Sequence, residues 1–344
     1  MIRRLPEAEL LKKLLPLTAV GPHRPSVHVF DERSIKAVNV AIDCGRPLLV
    51  RGEPGTGKSQ LARAVAQVLE RVFVSVFVDA RTEAHDLLWF HDAVTRLAEA
   101  QAWTKGEDKG EDDQGAAKDL ARLRYVLPRA LWWALDWKGA HGHATNVAAI
   151  KEPPPAYTKP SDPANGVVLL IDEIDKADSS VPNGLLECLG QGTFSVPGLA
   201  HPVHATGPAP LVVLTTNEDR VLPDAFMRRC VVLHLRVPDP RQWKGLDDDE
   251  LVKWLVKRGR AHFEDLEGEL LEEAATQVQA DRDAMRDRGS CPPGLAEYID
   301  LLTAVHEGRA AGDDVRVQDI AGFVLRKHVE PWARHDSHLR EWDE

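Results

Sequence analysis

Short unbroken apolar runs alternate along the chain with stretches whose apolar residues recur at helical spacing. The runs are Pro47–Arg51, Val72–Val78, Val167–Ile171, Leu211–Thr215 and Val231–Leu235. They are rich in Val, Leu and Ile, which predicts strands. Their apolarity is continuous rather than alternating, as expected of strands covered on both faces in a parallel sheet. Lys58–Glu70 instead places Leu61, Ala64, Val65, Val68 and Leu69 on one helical stripe. Ser34–Cys44 predicts a helix closed by Gly45. Ala8–Leu15 reads as a short amphipathic piece in a Pro-containing lead-in, residues 1–28. Strands alternating with helices predict an α/β domain over residues 29–237, built on a five-stranded parallel sheet.

Two stretches interrupt this pattern. Thr104–Asp119 carries six carboxylates, three lysines and almost nothing apolar, which predicts a mobile acidic surface loop. Gly139–Gly166 contains Pro153, Pro154, Pro155, Pro160 and Pro163, which forbids a long helix or a central strand. Between them, Leu120–Trp137 carries Trp132, Trp133 and Trp137, expected as core or as an interface patch. Pro238-Asp239-Pro240 breaks the chain after the last predicted strand. Beyond it the pattern is helical: a helix begun by Asp247–Asp249 and running through Trp254, then Leu266–Arg286 and Leu295–Val305. Residues 238–344 therefore form a smaller, all-helical second domain.

The junctions after three strands carry the chemistry. Gly52-Glu53-Pro54-Gly55-Thr56-Gly57-Lys58-Ser59, followed by Gln60, fits G-x-x-x-x-G-K-[ST] between a strand and a helix. Glycines let successive backbone N–H groups face phosphate oxygens, and the helix adds its positive end. Lys58 can then reach the β- and γ-phosphates, and the Ser59 hydroxyl can ligate Mg²⁺. Val167–Ile171 ends in Asp172-Glu173. This delivers two carboxylates to the sheet edge where open α/β sheets bind ligands. Asp172 suits the Mg²⁺, and Glu173 suits an attacking water. Leu211–Thr215 is followed by Thr216-Asn217, whose amide can hydrogen-bond the water or the γ-phosphate. Together these elements predict a hydrolytic nucleoside triphosphatase rather than a mere phosphate binder.

Composition narrows the partners. The chain is 43% hydrophobic and 28% charged, an ordinary globular balance. Its formal net charge of −11 disfavours a broad basic face for nucleic acid or an anionic membrane. Lys253, Lys257, Arg258 and Arg260 read as one charged helix face. No apolar run approaches the ~18–20 residues of a spanning helix. Glu7, Glu9, Lys12 and Lys13 interrupt any signal-peptide core. Cys44, Cys188, Cys230 and Cys291 are scattered, as free thiols in a reducing cytoplasm would be. His141 with His143, and His201 with His204, lack accompanying ligands at zinc spacing. No GxSxG or Cys–His arrangement suggests a covalent nucleophile.

In combination, these motifs resemble the AAA+ ATPases, and within them the MoxR-like, dynein-related branch. The resemblance covers roughly residues 30–330. GEPGTGKS resembles the Walker A motif of that family and VVLLIDEID its Walker B motif. LLECLGQGTFSVPG resembles the helix and hairpin before sensor 1, and TTNEDRVLPDAFMRRC resembles sensor 1 with the arginine-finger segment. ARTEAHDLLWFHDAVTRLAEAQ and YVLPRALWWALDW resemble the second-helix region with its insert, divergent at Pro128–Ala130. The resemblance implies a homo-oligomeric ring, commonly of six, with ATP bound between subunits. It implies that Lys58 contacts phosphates, Ser59 and Asp172 hold Mg²⁺, Glu173 is the catalytic base and Asn217 the polar sensor. Arg229, or failing that Arg228, is the implied finger reaching the neighbour's nucleotide. The family also places a sensor arginine at the start of the third lid helix. The matching stretch Ser290–Ala296 has none, and Arg286 and Arg288 are the nearby substitutes.

Three functions follow as expectations. The first is a remodelling ATPase acting on partner proteins or an adaptor. The second is a slowly hydrolysing, nucleotide-gated assembly switch. The third is an NTPase motor serving a nucleic-acid enzyme, against which the acidic charge argues.

Overall fold

The computed structural model describes residues 4–103, 122–239, 247, 249–287 and 292–326. The predicted acidic loop 104–119 and Arg288 lie outside them. By contact the chain divides into two units, Met1–Gly52 with Gly57–Leu235, and Glu53–Thr56 with Arg236–Glu344.

Five parallel strands form the centre of the first unit: β1 (Leu48–Arg51), β2 (Val72–Phe77), β3 (Val167–Asp172), β4 (Leu211–Thr216) and β5 (Val231–His234). Their spatial order is β5-β1-β4-β3-β2. The continuous apolar runs have the predicted cause. Leu48 and Val50 join one core with Val168, Leu170 and Val213, while Leu49 joins the other with Leu169, Ile171 and Leu214. Successive side chains thus enter cores on opposite faces of one sheet.

Helices α1 (Glu32–Cys44) and α2 (Lys58–Val68) supply Ile35, Val38, Leu61 and Val65 to the first core. Asp31 caps α1, accepting from the Ser34 N–H at 2.8 Å, and Gly45 ends it at φ 59°. Helix α3 (Ser180–Gln191) supplies Val181 and Leu185 to the second core. Trp132 and Trp133 are buried, and Trp132 stands edge-on to Phe194, so the tryptophan cluster is core.

Several expectations need correction. The amphipathic piece in the lead-in is helical only over Glu7–Leu10. Leu14–Leu17 then pairs antiparallel with Ser26–Val29, placing Leu15 and Leu17 in the first core. The signal was weak because Pro16 interrupts the run, and Pro is tolerated on such a short two-stranded edge. A second unpredicted pair joins Trp89–His91 to Val126–Pro128. The Pro-rich stretch keeps to its expectation: the helix overlapping its start, Trp137–Gly142, has only six residues and is held by the Asp136 carboxylate on the Gly139 N–H.

Among the described residues of the second unit four helices, α5 to α8, follow the short α4 (Asp224–Met227) of the first: Glu250–His262, Gly268–Asp287, Leu295–Ala310 and Val317–Val324. The last was not predicted. Asp249 stands at the α5 N-cap, but its carboxylate pairs with Lys253 at 2.8 Å rather than with a backbone N–H. Leu255, Leu271, Val278, Leu302 and Val305 are among the residues of its core. No helix among the described residues is long and apolar enough to cross a membrane.

Gly259 marks the closest approach in this core. A Cβ there would meet Tyr298 Oη at 2.5 Å and Leu302 Cδ1 at 3.0 Å. Tyr298 is fully buried, with its hydroxyl donating to the Leu271 carbonyl at 3.1 Å. Gly259→Ala should therefore destabilise the unit by about 1–3 kcal/mol through overpacking, despite alanine's better helix propensity. A urea melt should show a lower midpoint, and an unchanged one would mean that Tyr298 yields freely.

Candidate functional site

Parallel register brings three strand ends together. Thr216 pairs with Arg51, and Leu214 with Ile171, so β1, β4 and β3 finish side by side. Each end passes directly into a polar turn.

The turn after β1 is the glycine-rich loop. Gly52, Gly55 and Gly57 hold φ of 151°, 74° and 90°, conformations that L side chains rarely adopt. Thr56 Oγ1 donates to the Glu53 carbonyl at 2.9 Å and tightens the bend. Gly57 is the N-cap of α2, whose first-turn N–H groups lack partners within the helix. Pro54 and Gly55 are exposed, and Gln60 is half-buried.

Lys58 is buried. Its ammonium donates to the Gly52 carbonyl at 2.8 Å and to Asn217 Oδ1 at 2.6 Å. Burial pushes its pKa below the usual lysine range, while Asp172, Asp175, Glu173 and Asp219 oppose that shift. Ser59 donates its hydroxyl to the Asp172 carboxylate, 2.9 Å from Oδ1 and 2.8 Å from Oδ2. One hydroxyl and one carboxylate thus sit together as hard oxygen donors, suited to a small divalent cation that shares its shell with phosphate and water.

Glu173 begins the turn after β3 at φ 60°, ψ 45°, a left-handed conformation that is costly for a residue with a Cβ. Its N–H donates to Thr215 Oγ1 at 3.0 Å. The Thr215 hydroxyl in turn donates to Asp172 Oδ1. Asn217 Nδ2 donates to Glu173 Oε1 at 3.2 Å, and Lys176 Nζ lies 2.5 Å from Glu173 Oε2. The turn after β4 is fastened to the same place. The Asp219 N–H donates to Asp175 Oδ2 at 3.0 Å, and Arg220 Nη1 to the Lys176 carbonyl at 3.2 Å.

The structure thus joins Lys58, Ser59, Asp172, Glu173 and Asn217 in one hydrogen-bonded cluster. Arg228 and Arg229 are not part of it. They are exposed at the end of α4, between the buried Phe226 and Cys230, and Arg229 Nη1 donates to the Ala225 carbonyl at 3.4 Å. Among the described residues, neither makes a hydrogen bond or ion pair to the cluster.

Sequence reasoning missed Thr215, Asp175 and Lys176. The available signal was polar residues packed against buried strand ends, Thr-Thr before Asn217 and Asp-Lys after Glu173. It also missed Arg282, on α6 of the second unit. Arg282 is 1% exposed and donates from Nη2 to both Glu53 oxygens, at 2.8 and 2.6 Å, and from Nη1 to the Pro293 carbonyl at 2.7 Å. Arg286 pairs with Asp239 at 2.5 Å and lies 3.6 Å from Glu53.

His141, His201 and His204 are exposed, whereas His143 and two of the cysteines are buried. His143 is buried, with Nε2 2.9 Å from the Val126 carbonyl, and its ring packs by Trp132. Burial pushes the Cys188 and Cys230 thiols up to about 11, which keeps them protonated and poorly reactive at neutral pH. Among the described residues, no group of three or more His, Cys, Asp or Glu side chains is placed to hold a metal.

The family model described as the AAA domain of the dynein-related subfamily matches residues 47–230, more than half of the chain. No curated protein sequence matches the chain. Among solved structures, the chain is similar to a point mutant of RuvB from Thermotoga maritima. That match has a TM-score of 0.40 and 16% identity, and covers 84% of this chain and 69% of that one. It is also similar to NtrX from Brucella abortus, solved with ADP, with a TM-score of 0.45 and 14% identity. There the match covers 92% of this chain and 57% of that one, so the chain spans little more than half of NtrX.

Proposed function

The chain belongs to the dynein-related AAA family, and from that premise we propose that it hydrolyses ATP at the subunit interfaces of a homo-oligomeric ring. We infer that the cycle remodels or assembles partner proteins, the role of the MoxR-like branch that its motifs resemble. One observation carries this reading. The phosphate-loop lysine and serine, the acidic pair at the end of β3 and the amide after β4 form a single hydrogen-bonded cluster, joined through Thr215.

The cluster supports a division of roles. Gly52–Gly57 and the start of α2 wrap the phosphates with backbone N–H groups. Lys58 exchanges its bonds to Gly52 and Asn217 for β- and γ-phosphate oxygens. Ser59 and Asp172 fit Mg²⁺, which binds proteins through one or two carboxylates plus substrate phosphates. When bound, the ion supplies positive charge at the phosphate oxygens. Glu173 accepts the proton of the attacking water, and Asn217 orients that water against the γ-phosphate.

The missing element is a cation for the charge that develops in transfer. Arg229 is exposed and outside its own cluster, as a residue serving a neighbouring subunit would be. Mg²⁺-dependent ATP turnover per subunit should rise with protein concentration. A flat profile would mean a site complete within one chain, and no turnover would mean a nucleotide-binding relative without hydrolysis. Arg229→Ala should bind ATP normally and lose turnover by about a hundredfold, the scale of removing one charge-stabilising donor. Mixing it with a Glu173→Gln subunit, which keeps the arginine, should restore activity. Turnover of Arg229→Ala equal to the parent would remove the finger assignment.

A slowly hydrolysing assembly switch is the second reading. The observation favouring it is that both Glu173 carboxylate oxygens are already engaged, one by Asn217 and one by Lys176. ATP-dependent assembly with negligible turnover would select it.

A further inference from the structure

Lys176 sits one 3-10 turn beyond Glu173, and the turn brings it back over that residue. Its backbone N–H donates to the Glu173 carbonyl at 2.9 Å. Its ammonium lies 2.5 Å from Glu173 Oε2. The turn itself is held from the β4 side. Asp175 accepts the Asp219 N–H, and the Lys176 carbonyl accepts from Arg220. Asp175 is 2% exposed, so its half of this fastening is internal, while the Arg220 bond lies at the surface. An ordinary surface pair at i,i+3 spacing has neither a pinned backbone on both sides nor a carboxylate whose other oxygen is already bound.

The chemistry of the pair opposes the work proposed for Glu173. A base that takes a proton from water must offer a lone pair and gain stability on protonation. Here the Lys176 ammonium on Oε2 and the Asn217 amide on Oε1 occupy lone pairs that would otherwise face the water. With Asn217 on Oε1, the carboxylate is also held in one orientation.

We propose that Lys176 is a positioning residue that restrains Glu173, pairing with its Oε2 so that hydrolysis stays slow until the pair separates. This rests on the reading of Glu173 as the hydrolytic base. The lysine touches neither nucleotide nor water in this role. It acts through the carboxylate it holds. The pair is partly solvated, with side chains 45% and 30% exposed, so its effect is modest.

Lys176→Met should raise kcat for ATP about two- to fivefold, the ratio matching a partly exposed ion pair, with KM unchanged. Lys176→Arg keeps the charge and should return kcat to the parent value. An unchanged or lower kcat in Lys176→Met, or an effect on KM alone, overturns the proposal. A second measurement does not depend on turnover. Hydrogen bonding to Glu173 raises the Lys176 ammonium above its ordinary range, with the charges of Glu173, Asp219 and Asp175 adding to the effect. In ¹³C-dimethylated protein, with the signal assigned by its loss in Lys176→Met, the titration midpoint should fall in Glu173→Gln. A midpoint that stays put shows that the two side chains do not pair in solution, and the proposal fails. A parent without turnover overturns the hydrolytic reading instead, and the titration then decides the pairing by itself.

Discussion

Lys58→Ala should abolish measurable ATP binding while the protein stays folded. Lys58 is the one side chain of the glycine-rich loop that carries a formal positive charge, and it is buried at the head of α2. Burial alone disfavours that charge, as the downward shift of its pKa shows, and the carboxylates around it offset only part of the shift. Triphosphate oxygens would complete the compensation, so nucleotide and ammonium stabilise each other where water is scarce. Alanine removes that exchange and leaves the phosphates facing Asp172, Glu173 and Asp175 without a counter-charge in the loop. A loss of at least about two orders of magnitude in affinity follows, since a hydrogen-bonded buried charge contributes roughly 3 kcal/mol or more when truncated. The cost to the fold is smaller. The Gly52 carbonyl and Asn217 Oδ1 each lose a donor, about 1–3 kcal/mol if water does not replace it. The apolar face of α2, with Leu61, Ala64 and Val65, is untouched. Calorimetric titration with ATP, beside circular dichroism and a thermal melt, separates the two effects. Parent-like affinity in a folded Lys58→Ala protein would remove the phosphate-loop reading.

Much of this was readable beforehand because it is written in local spacing. The five strands announce themselves as continuous apolar runs, and a sheet buried on both faces needs them to be. The glycine loop is contiguous, so its pattern and its strand-to-helix context are visible together. Convergence of Lys58, Asp172 and Asn217 needed only one further assumption, parallel register, which the pairings of β1, β3 and β4 fulfil. Thr215 and Lys176 were not readable. Thr215 looks like the polar end of a strand until its hydroxyl is seen between Asp172 and the Glu173 N–H. Lys176 looks like solvated charge until the turn folds it back. Arg282 lies on a helix whose periodicity fits solvent contact as well as burial, and its partner Glu53 is 229 residues distant. Pairing between single side chains across such separations leaves no periodicity. The hairpin of Leu14–Leu17 with Ser26–Val29 was obscured for a different reason, since a proline in a four-residue run masks a strand that only its edge position tolerates.

Glu173→Gln should separate binding from chemistry. The substitution keeps shape and volume at a partly exposed position, and the left-handed backbone there costs glutamine no more than glutamate. Nothing in the Lys58, Ser59 and Asp172 arrangement depends on the Glu173 carboxylate for its bonds. ATP affinity should therefore match the parent. What changes is proton uptake. An amide oxygen accepts a hydrogen bond but takes no proton at neutral pH, so the attacking water loses its base. Turnover should fall by about a thousandfold, within the range that a positioned general base contributes. The amide also replaces one carboxylate oxygen with an NH₂ donor, so in the parent geometry an acceptor meets Asn217 or Lys176 but a donor faces the other. In a ring whose subunits dissociate after hydrolysis, the variant should accumulate as an ATP-bound oligomer. Light scattering after size exclusion, with ATP and Mg²⁺, should show that species in Glu173→Gln and a smaller or mixed one in the parent. Parent-like turnover would mean that another group takes the proton, and Asp175, buried beside it with one oxygen committed to the Asp219 N–H, would be the residue to replace next.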